Sequence, residues 1–179
     1  MTLFDHVAAW LDHHAVRFAM IGAGALAVQR ISGATLDQEL LVTDRRVLNR
    51  AFWNPVPAAV DVEAHLTEAD DVAGHVRLTA SGERPVDIVV GRAPWLDRIL
   101  DRRTVAAIPG RDLPVAAVAD LIVLKLYAGG AEDVADIGSI LADSDSASLR
   151  EDVESRLSFL PTECALLWQH ITASFLDGA

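Results

Sequence analysis

The chain predicts an α/β domain followed by a helical extension, and three features carry that reading. Residues 60–66 (VDVEAHL) and 74–80 (GHVRLTA) alternate apolar and polar side chains, the period of a half-buried strand. Residues 85–91 (PVDIVVG) form an apolar run of strand length. Around them, residues 3–14, 92–103 and 115–127 carry apolar side chains at helical spacing. With 179 residues, 51% of them hydrophobic, the chain has material for one substantial core. We place the domain at residues 1–142 and a helical extension packed on it at 143–179.

The elements follow in order. Leu3, Val7, Trp10 and Leu11 give an amphipathic first helix, and His6, His13 and His14 lie on it without a Cys or acid at metal-ligand spacing. Residues 16–21 read as a short buried strand ending at Gly22, and the small residues 23–30 as a helix pressed against the sheet. A strand through residues 36–42 comes next, then a helix over 44–52, with Arg45, Arg46 and Arg50 read as solvated surface or as reaching a triphosphate. Pro55 and Pro57 break the chain. The two alternating strands are joined by the acidic turn TEADD, and residues 81–84 form another turn. After the helix over 92–103, residues 104–114 read as a short extended piece and turns around Pro109, Gly110 and Pro114. Residues 115–127 (VAAVADLIVLKLY) are apolar nearly all round, hence a buried helix. Gly129 and Gly130 end it, and a helix with Val134, Ile137, Ile140 and Leu141 buried follows. From Asp143 a Ser- and Asp-rich turn leads into two amphipathic helices over 148–159 and 161–175, carrying Leu157, Leu160, Leu166, Leu167, Trp168 and Ile171.

Composition bounds the function. The net charge of −11 and isoelectric point near 4.8 argue against a simple nucleic-acid binder, which would carry a basic footprint. The lone Cys164, in an apolar helical stretch, reads as buried packing. The N-terminal segment, amphipathic and carrying Asp5 and Asp12, predicts no secretory leader and no membrane span, hence a cytoplasmic protein.

The chemistry concentrates in residues 20–43 (MIGAGALAVQRISGATLDQELLVT). On a strand, Asp37, Glu39 and Leu41 share one face. Two adjacent carboxylates repel unless a cation lies between them, and hard oxygen donors at this spacing suit Mg²⁺; an edge strand with a solvated acidic side is the other reading. Upstream, Gly22, Ala23, Gly24 and Ala25 make a small-residue turn where backbone N–H groups can approach phosphate. The same run also fits the dinucleotide fingerprint G-x-G-x-x-A, with Asp44 ending a later strand. That reading needs continued strand and helix alternation and leaves Asp37 and Glu39 unexplained. Farther on, Asp87 is the one charge in residues 85–91, and either caps the strand start beside Pro85 or is compensated by a cation. Lys125 shares a face with Val118, Leu121 and Ile122, so it snorkels to water or meets an anion. Asp133 and Asp136 lie near a helix N-terminus, where the dipole favours negative charge.

Taken together, these residues resemble the nucleotidyltransferase superfamily, whose pattern is a Gly-rich turn, a helix, an Arg-x-Thr segment and Asp-x-Asp on a strand. Gly22, Ala25, Thr35, Asp37 and Glu39 stand at the matching positions, and Asp87 stands where the family has a third metal carboxylate. Lys125-x-x-Ala128 followed by Asp133-x-x-Asp136 is similar to the later motifs of abortive-infection toxin nucleotidyltransferases of type IV toxin–antitoxin systems. The resemblance, covering most of residues 20–141, implies a mixed sheet of a few strands flanked by helices. It implies Asp37, Glu39 and Asp87 as ligands of two Mg²⁺ ions and Asp87 as a candidate base. Gly22, Ala23, Gly24 and Thr35 would lie along a nucleoside triphosphate, Lys125 would hold a phosphate, and Asp133 and Asp136 would position basic groups or the acceptor.

Four positions depart from the pattern. Gly33 and Glu132 stand where the family has Arg, which removes positive charge that would meet phosphate. Glu39 replaces Asp, moving a metal ligand by about an ångström, and the turn reads Gly22-Ala23 rather than Gly-Gly or Gly-Ser. Two functions are therefore expected: an enzyme moving a nucleotide to a hydroxyl, on tRNA with a cognate antitoxin as partner or on a small molecule such as an aminoglycoside; or a relative that keeps the fold and binds a nucleotide or protein without turnover.

Overall fold

The structure, a computed structural model, describes residues 1–31, 38–54, 56, 60–68, 71–108, 111–144 and 146–177. Gly33, Thr35 and Asp37 lie outside these residues, as do Pro55, Pro57, Pro109 and Gly110.

The fold begins at a reciprocal cap. Thr2 Oγ1 accepts from the Asp5 backbone N–H while the Asp5 carboxylate accepts from Thr2 N–H at 2.8 Å, which fixes the start of α1 (Leu3–His13). Strands β1 (Phe18–Ile21) and β2 (Gln38–Val42) are separated by α2 (Gly22–Val28) and pair antiparallel. That pairing removes the dinucleotide-binding alternative, whose first two strands run parallel. Asp44 has a local task instead: it caps the chain after β2, accepting from Arg46 N–H and pairing with the Arg46 guanidinium at 2.6 Å.

The helix expected over 44–52 is two short 3₁₀ turns, Arg45–Leu48 and Arg50–Trp53. The Asn49 side chain accepts from Ala51 N–H and restarts the chain, as short polar side chains do when they compete for backbone donors. Strands β3 (Asp61–Leu66), β4 (Val72–Thr79) and β5 (Val86–Gly91) form an antiparallel meander, and β5 lies parallel to β2. After α3 (Pro94–Arg102), residues 104–115 hold two strands rather than one extended piece: β6 (Thr104–Ile108) and β7 (Arg111–Val115). Pro114 is tolerated inside β7 because β7 meets β1 in register only beyond it, at Met20↔Val115. The result is one mixed seven-stranded sheet of order β3-β4-β5-β2-β1-β7-β6.

Helix α4 (Val118–Ala128) ends at Gly129, whose φ of 67° is the left-handed C-cap. Helices α5 (Ala131–Ser144), α6 (Ala147–Leu157) and α7 (Thr162–Asp177) all pack on α4. Helix α5 runs through Asp143, where a turn is expected from sequence. On α7, Cys164, Trp168 and Ile171 are buried while Leu166 is exposed; burial pushes the Cys164 thiol pKa up.

Among the described residues, one polar side chain lies wholly inside this helical layer. Asp120 on α4 is 0% exposed. It receives a two-pronged contact from Arg102 of α3, at 2.6 and 3.1 Å, and lies 3.1 Å from Arg156 of α6. Burying a carboxylate is tolerable only with such partners, so the triad fixes which turn of α6 faces α4. Removing one member of a buried pair leaves an uncompensated charge. Asp120→Ala is therefore expected to lower unfolding stability by about 3 kcal/mol in urea titrations, and Arg156→Met by less, since Arg102 still engages Asp120.

A second polar clamp ties α3 to the sheet. Asp97 accepts from the Thr43 hydroxyl at 2.7 Å and from Arg17 at 2.6 Å. The Thr43 hydrogen bond, followed by burial acting the other way and then Arg17, leaves the Asp97 pKa below its ordinary 3.8. A depressed carboxyl pKa contributes stability above pH 3.8 that is lost as pH falls through the folded value. Wild-type stability is thus expected to fall more steeply than that of Asp97→Asn below this pH, as read from denaturation midpoints across an acid series.

Candidate functional site

The site is built at the centre of the sheet by register. Glu39 on β2 is paired with Asp87 on β5, and Ile21 on β1 with Glu39. Arg77 on β4 stands opposite Asp87, and Glu63 on β3 opposite Arg77. In-register partners share a face, so Glu63, Arg77, Asp87 and Glu39 form one charged row across four strands. The next row on that face holds His65, His75 and Val89. The sequence reading of β5 as apolar apart from Asp87 takes physical form here: Val86, Ile88 and Val90 are buried, whereas Asp87 and Val89 are half-buried.

Asp87 therefore does not sit uncompensated in an apolar run. Both its oxygens accept from Arg77 Nη1, at 3.1 and 3.2 Å, and its side chain is 44% exposed. Glu39 folds toward the chain reversal between β1 and α2. Gly22 opens α2 with φ of 65°, and a Cβ placed on it would stand 2.3 Å from Glu39 Oε2. Glycine is thus required twice: the left-handed conformation penalises any side chain, and the vacated space is occupied by a carboxylate oxygen. Ala23 and Gly24 follow within the first turn of α2, with Gly24 buried.

A cavity of about 280 Å³ lies over this face, between the sheet and α4. Gly22, Glu39, His75, Lys125 and Asp133 supply its polar rim, and Val89, Leu121 and Leu124 part of its apolar wall. Trp95 and Tyr127 also line it, their ring centroids 5.2 Å apart at 53°. Lys125, only 11% exposed at its side chain, reaches Asp136 at 2.5 Å and Asp133 at 3.5 Å. Asp133 also accepts from Gly130 N–H at 3.2 Å. Asp133 thus caps α5, and both acids pair with Lys125.

The sequence-derived site residues thus fall into three groups. Gly22, Glu39, Lys125 and Asp133 line one cavity, with Asp87 beside Glu39 in the sheet. Asp136 is joined to them through Lys125, while Ala23 and Gly24 lie behind Gly22 in α2. Asp37 and Thr35 are outside the described residues. Sequence reasoning missed Arg77 and His75. Both lie on the polar side of the alternating β4, a signal that they share a face but not that the face is the one carrying Asp87.

Among the described residues no group of three or more His, Cys, Asp or Glu is placed to hold a metal ion. Glu39 and Asp87 are nonetheless hard oxygen donors set side by side, a chemistry that fits Mg²⁺. Among the described residues, no helix is long and apolar enough to cross a membrane.

The chain has a nucleotidyltransferase fold. It aligns with a candidate nucleotidyltransferase from Thermotoga maritima at 13% identity, over 80% of this chain and 96% of that one, with a TM-score of 0.52. An antigenic nucleotidyltransferase-like protein from Paracoccidioides brasiliensis aligns at 19% identity, over 90% of this chain and 88% of that one, with a TM-score of 0.47. No family model and no curated protein matches the chain.

Gly22→Ala is expected to cost about 1–2 kcal/mol in thermal or urea unfolding from its positive φ and to displace the Glu39 carboxylate. In a double-mutant cycle with Glu39→Ala the backbone cost remains, while the part due to contact with the carboxylate disappears.

Proposed function

We propose that this chain is a nucleotidyltransferase that moves a nucleoside monophosphate from a nucleoside triphosphate to a hydroxyl acceptor. The observation that carries the reading is the in-register pair Glu39 and Asp87, of which Glu39 lines, with Gly22, the cavity that Lys125 enters. Two carboxylates on one face of adjacent strands repel each other, and a fold that places them there obtains a site for cationic charge. Mg²⁺, held by Glu39, Asp87 and Asp37, would supply the charge that neutralises the triphosphate and the leaving pyrophosphate.

The chain's own residues do the rest. Asp87 takes the proton of the acceptor hydroxyl; the acceptor oxygen bonds to the α-phosphorus, and the bond from that phosphorus to the bridging oxygen of pyrophosphate breaks. Gly22 leaves the space in which Glu39 turns toward the site. Lys125, pre-aimed by Asp133 and Asp136, offers its ammonium to a phosphate, and Trp95 and Tyr127 give the cavity an aromatic wall.

For the acceptor, the net charge of −11 favours a small molecule over tRNA. A tRNA acceptor with a cognate antitoxin, in the cytoplasm, is the reading that rests on the likeness of residues 125–136 to the toxin motifs. The second reading is a protein that binds a nucleotide or a protein partner without turnover. It is favoured by the ion pairs already made by Asp87 and Lys125 and by Gly33 and Glu132 in place of arginines.

Titration calorimetry of each nucleoside triphosphate with Mg²⁺ tests the proposal. Metal-dependent binding by wild type that is lost in an Asp37→Ala, Glu39→Ala double variant is the expected result, and labelled triphosphate then identifies the acceptor. Binding of no triphosphate by wild type rejects the enzyme; binding without transfer to any hydroxyl supports the second reading.

A further inference from the structure

Resting on that reading, we propose that Arg77 is a further nucleotide-binding residue that serves two anions in turn. In the free protein it neutralises Asp87, and when metal takes Asp87 it turns to the triphosphate. Glu39 and Asp87 are like charges side by side, and the Arg77 guanidinium is bonded to both Asp87 oxygens. Arg77 is in register with Asp87 and lies two strands from Glu39, about 10 Å between Cα atoms. An arginine side chain spans much of that distance. A phosphate chain lying over Glu39 and Asp87 therefore comes within reach of the guanidinium without any movement of the backbone.

The exposure of the pair is what makes the exchange feasible. Arg77 and Asp87 are 50% and 44% exposed at their side chains, so the ion pair is a weak one and the guanidinium moves without being drawn from a core. Lys125, at 11% exposure, is held between two aspartates and lacks that freedom. Arginine also suits the second task, because its planar fork engages two phosphate oxygens at once. This would restore positive charge of the kind that Gly33 and Glu132 do not provide.

The proposal makes two effects of one substitution opposite in sign. Mn²⁺ binding to the nucleotide-free protein, followed by electron paramagnetic resonance, is expected to be about threefold tighter in Arg77→Gln than in wild type, because a competitor worth an exposed ion pair has gone. Mg²⁺-tripolyphosphate binding, followed by calorimetry, is expected to be about tenfold weaker, because a charge-assisted hydrogen-bond donor has gone. Arg77→Lys should recover part of the tripolyphosphate affinity, and thermal unfolding of all three proteins checks that they are folded. Both affinities unchanged, or both moving in one direction, would overturn the role of Arg77 while leaving the nucleotide site standing. Wild type that binds neither Mn²⁺ nor Mg²⁺-tripolyphosphate removes the proposed function, and this role with it.

Discussion

The parallel pairing of β2 with β5 is the constraint on which the rest of the molecule depends. Parallel strands need their faces covered and their connection carried outside the sheet. Here the chain leaves β2, makes two 3₁₀ turns, folds the β3–β4 hairpin at one edge and returns as β5. The return fixes the register Glu39↔Asp87, and so places two carboxylates from distant parts of the sequence side by side. Their repulsion has to be offset. Each local peculiarity of the region, from the glycine against Glu39 to the arginine on Asp87, follows from accommodating negative charge at the middle of a sheet.

The helical layer answers a different electrostatic problem. Helix α4 is apolar nearly all round and packs on α5, α6 and α7, yet it carries Asp120 and Lys125 into that layer. Each is satisfied from a neighbouring helix: Asp120 by Arg102 and Arg156, Lys125 by Asp133 and Asp136. Apolar contacts alone would allow neighbouring helices to slide by a turn, whereas ion pairs of this kind hold only at one register. The Lys125 cluster has a second consequence, because it lies at the edge of the cavity. The contacts that position α5 also determine how far the ammonium enters that space.

The acidity of the chain and the chemistry of its site are separable. A net charge of −11 describes the whole surface, while the row Glu63, Arg77, Asp87, Glu39 sets one positive charge among three carboxylates across four neighbouring strands. Within a Debye length the local pattern governs what approaches. A polyanion long enough to span the surface meets the global charge, whereas a small anion approaching the sheet meets the local pattern.

Much of this was legible in the sequence. Strands at 60–66, 74–80 and 85–91 declare themselves by alternation or by apolar run, α4 by its unbroken hydrophobicity, and the α/β class by their succession. Gly22, Glu39, Asp87 and Lys125 stand out because charge or glycine in such company has to be explained. Other features were not legible. The helix expected over 44–52 fails because Asn49 caps a new turn, a choice that periodicity does not record. The β6–β7 hairpin was hidden by Pro114, which is a breaker in sequence but is tolerated at a position that only the sheet order defines. Asp120 lies in a run that is apolar nearly all round, and neither Arg102 nor Arg156 is near enough in sequence to mark it as buried and paired. Local propensity and patterning act over a few residues, so the sequence by itself determined which segments are strands or helices and which residues are chemically conspicuous. Strand order and register are set by contacts between segments far apart in the chain, and only the tertiary structure decided that Arg77 would meet Asp87, that Asp87 would stand beside Glu39, and that His75 would face the same cavity as Lys125.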